Sequence, residues 1–212
     1  EVKPLVRERE KQSYLMESLR LSLAGRQVAA VSIAGMLFAG SQCALIAFLV
    51  VYLRQTELMT AAQAGLAFSV FHVSGVVARL VFGWFAERRI SSAAILVFAA
   101  SGMATGLVAI ANFSPNWPIW MFYVAIAFTG CTGNGWVGLL FAELSRLAPE
   151  GRAADVTGGA QLFMYAGVFV APLACSTALD LTDSNYSVVF IILTVLAVGS
   201  VILLEWGRRA GH

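Results

Sequence analysis

The chain has 212 residues, of which 59% are hydrophobic and 12% charged, with a formal net charge of +2 and a mean hydropathy of +0.79. Charge this sparse is about half the share of a soluble domain. It excludes a disordered chain and a nucleic-acid module, argues against a soluble enzyme, and points to an integral membrane protein.

Residues 1–27 form a charged arm. Leu15, Leu19 and Leu23 recur at helical spacing among Glu8, Arg9, Glu10, Lys11, Glu17 and Arg20. This predicts a cytoplasmic linker with an amphipathic, interfacial segment, the alternative being a solvated arm. Six apolar runs follow: Val28–Leu53, Ala61–Ala86, Ala93–Phe113, Trp117–Ala142, Thr157–Leu179 and Tyr186–Leu204. Each approaches or exceeds the roughly 20 residues a helix needs to cross hydrocarbon. None alternates as a barrel strand would, so six transmembrane helices are predicted over 28–205, with a cytoplasmic tail at 206–212.

Charge sets the orientation. Lys3, Arg7, Arg9, Lys11, Arg20, Arg26, Arg88, Arg89, Arg146, Arg152, Arg208 and Arg209 all fall on one side of the predicted spans, and Arg54 alone falls on the other. Both termini are therefore expected in the cytoplasm. Tyr52, Trp117, Trp120, Tyr123 and Tyr186 lie near the outer ends, and Trp84 and Trp206 near the inner ends, as interfacial anchors should. Cys43, Cys131 and Cys175 lie within apolar runs, without the spacing of metal ligands, and read as small hydrophobes. No metal or cofactor is implied.

At the end of the second run, Gly75, Arg79, Gly83 and Glu87 recur every four residues and share one helix face. Glu87 meets the cytoplasm. Arg79 lies about two turns inside, roughly 10 Å. An arginine there is paired, lines a wet cavity, or snorkels to the inner surface. Apart from Arg79, no cation lies within a span, which argues against a tightly held anion in this part of the protein.

Gly65–Glu87 aligns with Gly158–Asp180, setting Gly65 on Gly158, Ala67 on Ala160, His72 on Tyr165 and Ala78 on Ala171. The two helices run oppositely through the membrane, the pattern of an inverted 3+3 repeat. Gly133-Asn134-Gly135-Trp136-Val137-Gly138 matches a dinucleotide fingerprint, but no strand precedes it and it lies inside an apolar run. Gly130, Gly133, Gly135 and Gly138 are better read as thinning the fourth helix for packing or bending. Gly102 and Gly106 form a packing GxxxG. Pro172 is expected to kink the fifth helix or simply pack. Asn112-Phe-Ser and Asn185-Tyr-Ser fit the glycosylation pattern and carry little weight.

Gly83-Trp-Phe-Ala-Glu87-Arg88 resembles the cytoplasmic G-x-x-x-D-R signature of the major facilitator superfamily, with Glu for Asp. The segment from Ala142 to Ala153, with Glu143, Arg146, Pro149, Gly151 and Arg152, is similar to that family's connection between its tenth and eleventh helices. Gly167, Pro172 and Asp180 resemble its eleventh helix. The resemblance covers about residues 25–207. It implies an all-α membrane protein that is the carboxyl-terminal half of a twelve-helix transporter, the arm being the central linker and the amino-terminal six-helix half absent.

It also implies that the first, second, fourth and fifth helices face a substrate path. Polar residues at mid-depth there are Ser41, Gln42, Ser69, His72, Thr129, Thr132, Asn134, Gln161 and Tyr165. Gln42, Ser69, His72, Thr132, Asn134, Gln161 and Tyr165 are the cavity candidates, each of which can equally join helices by hydrogen bonds. Gly75, Arg79, Gly83, Glu87 and Arg88 are the gating candidates. His72 is the one histidine within a predicted span, and it can carry a coupling proton or pack.

The function implied is secondary active transport of a small solute by alternating access, by symport or antiport, in a bacterial inner membrane. A complete six-helix protein acting as a homodimer is the rival. An intramembrane enzyme is disfavoured, because His72 has no G-x-S-x-G partner and His212 is terminal.

Overall fold

The computed structural model describes residues 15–55, 59–88, 90–113 and 117–209. The arm before residue 15, Arg89, Ser114 and Pro115 of the first glycosylation pattern, and His212 lie outside the described residues. Regular structure among the described residues is helical: α1 over 15–22, α2 Arg26–Gln55, α3 Ala61–Arg88, α4 Ser92–Ala111, α5 Ile119–Asn134, α6 Val137–Leu147, α7 Ala153–Leu181 and α8 Tyr186–Arg209. Six stretches are long and apolar enough to span a membrane, α5 and α6 together making one of them.

Local chemistry sets the helix ends. Thr60 and Gln63 form a reciprocal box before α3: Gln63 Oε1 accepts from the Thr60 N–H at 2.9 Å, and Thr60 Oγ1 accepts from the Gln63 N–H at 3.3 Å. Ser91 Oγ caps α4 by accepting from the Ala94 N–H. Gly25, at a φ of +88°, makes the left-handed turn between α1 and α2. The fourth run, expected as one bent or thinned helix, is instead broken into α5 and α6 at Gly135–Trp136. Pro172 is accommodated inside a single helix, α7.

Packing follows an exchange. α2 packs against α7 and α8, α5 packs against α3 and α4, and α4 meets α8 between them. The first span of each three-span unit therefore docks on the second and third spans of the other. The spans paired by this exchange, α2 with α5 and α3 with α7, are an odd number of crossings apart and so point oppositely, as an inverted repeat requires.

Small residues make the seams. A Cβ on Gly167 would lie 2.0 Å from the Met36 carbonyl oxygen, which brings α2 and α7 into backbone contact. Gly102 and Gly106 of α4 receive Thr132 and Thr129 of α5, so this GxxxG is indeed a packing motif. Of the six spans, α3 and α7 bury least, and they leave Val73, Val76 and Leu80 of one and Phe169, Val170 and Leu173 of the other exposed.

On the charged side, α1 buries Ser18 and Ser22, while Leu19 is half-buried and Leu15 and the following Leu23 are exposed. Ser32 Oγ donates to the Ser22 carbonyl at 2.9 Å, and a Cβ on Gly159 would lie 2.1 Å from the Ser18 carbonyl oxygen. Arg152 pairs with Glu17 of α1 at 2.5 Å and with Asp155 of α7. These two carboxylates, Glu17 first, push the Arg152 guanidinium above its ordinary pKa.

Candidate functional site

Breaking a helix leaves backbone carbonyls without intrahelical partners. α5 ends at Asn134 and α6 begins at Val137, near the middle of the span Ile119–Leu147. The freed Asn134 carbonyl accepts a hydrogen bond from Arg79 Nε of α3 at 3.0 Å. Arg79 is thus engaged at the break, deeper than snorkelling to the inner surface would carry it. It takes part in none of the ion pairs among the described residues, and its terminal nitrogens have no protein acceptor there.

The Asn134 side chain is buried and held on three sides. Its Oδ1 accepts from Gln42 Nε2 of α2, and its Nδ2 donates to the Phe71 carbonyl of α3 at 3.5 Å. Gly75 makes the room, since a Cβ there would fall 2.3 Å from Asn134 Cβ. Trp136, fully buried, completes the group. Its Nε1–H is shared between Gln42 Oε1 at 2.9 Å and the Gly133 carbonyl at 3.0 Å, and its ring stacks on Phe38 with centroids 4.5 Å apart. An indole nitrogen only donates, so Trp136 fixes Gln42 Oε1 as an acceptor. Gln42 Nε2 must then donate to Asn134 Oδ1, and the polarity of the chain is settled from one end to the other.

Arg79 opens onto a cleft of about 690 Å³ between α3 and α6, which Gly83, Glu87, Ser92, Gly135 and Gly138 also line. Each satisfied bond in such a site adds about 1 kcal/mol net, whereas a stranded buried polar atom costs roughly 1–3 kcal/mol. A smaller groove of about 160 Å³ among α2, α7 and α8 is apolar throughout and offers nothing to orient a polar solute.

From the sequence-predicted set, the structure brings together Gln42, Asn134, Gly75 and Arg79, sets Gly83 and Glu87 on the cleft beside them, and disperses the others. Thr132 is buried in the α4–α5 seam and bonds back to the Phe128 carbonyl. Ser69, on the exposed face of α3, donates to the Gly65 carbonyl. Gln161 donates to the Tyr165 hydroxyl on the exposed face of α7 at 3.1 Å. His72 is half-buried with its ring edge-on to Phe68 and Phe71, at 4.5 and 5.3 Å between centroids.

The lower half of the Gly75–Glu87 stripe follows the cleft toward the cytoplasmic end of α3. Glu87 and Arg88 are exposed, and Arg88 lies over the Trp84 ring at 4.4 Å. Neither Trp136 nor Glu143 is among the sequence-predicted cavity or gating residues. Trp136 was seen only within a rejected glycine motif, although a tryptophan far from either interface needs a buried acceptor. Glu143, nearly buried at the inner end of α6, is gripped by two guanidinium nitrogens of Arg146 at 3.1 and 2.5 Å.

A family model described as Major Facilitator Superfamily matches residues 28–211. Two curated proteins of Mycobacterium tuberculosis, from strains CDC 1551 / Oshkosh and ATCC 25618 / H37Rv, are each 30% identical to this chain over 137 residues. Both bear the name "Probable nitrate/nitrite transporter NarK2". The matched stretch is 64% of this chain and 34% of each relative, so it spans about a third of their length.

Proposed function

The chain belongs to the major facilitator superfamily, a family of transporters and not of enzymes, and from that premise we propose that it is one six-span half of a carrier for a small planar oxyanion such as nitrate or nitrite. Arg79 is the group that binds the anion. One observation carries this reading: an arginine engaged at mid-span, tied down through Nε alone, with its terminal nitrogens unclaimed by any described residue beside a cleft. A charge in hydrocarbon is costly and persists where it faces a ligand, a partner or water. A guanidinium offers paired N–H donors that match the two-oxygen edge of a planar anion. The names of the relatives supply the candidates for that anion. A single unpaired cation suffices, which revises the sequence-based argument against an anion.

In this reading the lightly buried α3 and α7 are the faces that meet an amino-terminal half. The two halves rock about the cleft in alternating access within a bacterial inner membrane, both termini being cytoplasmic and α1 belonging to the linker that joins the halves. Nitrate uptake by the full-length transporter in cells that lack their own nitrate carriers tests the proposal. Arg79→Gln should abolish uptake while the protein still reaches the membrane. Uptake with an unchanged KM would overturn it.

A further inference from the structure

We infer that Gln42 and Trp136 are positioning residues that select planar anions, acting on Arg79 through Asn134; the inference rests on the anion reading above. Neither side chain bonds to Arg79 itself. A hydrogen-bond chain runs from α2 to α3. Phe38 stacks on the Trp136 ring and fixes where its N–H points. That N–H holds Gln42 Oε1, which turns Gln42 Nε2 onto Asn134 Oδ1. Asn134 is the last residue of α5, so its peptide group lacks the helical bond that would orient it from the following turn. The side-chain lock supplies that constraint and aims the Asn134 carbonyl at Arg79 Nε.

Because the guanidinium is planar and rigid, the Cδ–Nε bond and the Nε–H direction together set the plane in which its other donors lie, and the Asn134 carbonyl supplies the second of these. A planar anion with two oxygens needs that plane, and a spherical anion does not. The lock on α2 therefore governs which anions bind well, and the positive charge alone governs whether any bind.

The experiment uses the full-length transporter in proteoliposomes, with nitrate influx measured directly and iodide as a spherical competitor. Trp136→Phe keeps a ring on Phe38 and removes the donor. It should raise the nitrate KM about 5-fold, the equivalent of one net hydrogen bond, with kcat little changed and iodide inhibition unaltered. The preference for nitrate over iodide then falls by the same factor. Gln42→Leu, which removes the donor to Asn134 without adding charge, should do the same and serves if Trp136→Phe fails to fold. Equal losses for nitrate and iodide, or an unchanged ratio in both variants, would overturn the inference. Arg79→Gln runs alongside: normal influx in that variant sinks the anion reading itself. Loss in Arg79→Gln with a wild-type nitrate-to-iodide ratio in the other two sinks only the positioning role.

Discussion

α3 and α7 hold equivalent places in the two three-span units, and each is lightly buried, yet they have opposite characters. α3 lies against a span that is broken beside it, and Asn134 at the break meets both Arg79 and Phe71. α7 lies against α2, which runs unbroken for 30 residues, and the two meet through Gly40, Gly167 and Ala171. No charged side chain enters that seam. The same packing position thus becomes a polar site or a dry scaffold according to whether the neighbouring backbone is interrupted. An interruption supplies carbonyls that can hold a cation, and a continuous helix satisfies its own.

The comparison breaks most readily at Arg79. Arg79→Lys keeps the charge and loses the planar fork, and it should weaken nitrate binding to the purified full-length protein by about 10-fold or more, as titration calorimetry would read it. Binding as tight as wild type would mean that charge alone does the work.

The scaffold side is tested at Gly167. Gly167→Ala puts a methyl 2.0 Å from the Met36 carbonyl oxygen and should cost about 1–3 kcal/mol, read as a lower thermal unfolding midpoint in detergent. Gly138→Ala is its control. It meets open space, so the midpoint should stay put. Equal losses would show that the α2–α7 seam is not special.

A smaller effect is expected at Glu87, which is exposed at the cytoplasmic end of α3 and makes no ion pair among the described residues. If it meets the other half, Glu87→Gln should shift the inward-to-outward balance about 2- to 5-fold, the scale of one exposed ionic contact. Cysteine accessibility from each side of the membrane reads that balance. The least change is expected from His72→Gln. The imidazole packs against the Phe68 and Phe71 rings, so the pH dependence of uptake should not move. A flattened pH profile would restore His72 as a proton carrier.

The spans were legible because apolar length and the absence of strand alternation leave one structural solution in a bilayer. α2, α3 and α8 run a few residues past the apolar stretches, into flanking polar and charged residues such as Arg26, Gln55, Arg88 and Arg209. The break in the fourth run was half legible. Its glycines announced a bend, but nothing local says that the chain parts at Gly135 rather than at Gly130. That is decided by Trp136 reaching Gln42, 94 residues away in sequence.

The site was legible in its chemistry and not in its grouping. Gln42, Asn134 and Arg79 stood out as polar groups in apolar runs, as did Ser69, Gln161 and Tyr165. Only helix rotation separates the first three, which converge, from the others, which face outward. Spacing along one helix cannot fix that rotation against a neighbour. α1 shows the same limit, because its leucine stripe was conspicuous while Ser18 and Ser22 make the buried contact.

If the cleft beside Arg79 holds the transported anion, a side chain lining it should be shielded when nitrate binds. Gly138 lines that cleft and has open space around it, so Gly138→Cys is a reporter that disturbs little. In the full-length transporter with Cys43, Cys131 and Cys175 replaced by Ser, the account predicts that nitrate slows labelling of this cysteine by a soluble thiol reagent. The protection should vanish when Arg79→Gln is added. Labelling at the same rate with and without nitrate, in a variant that still transports, would contradict it.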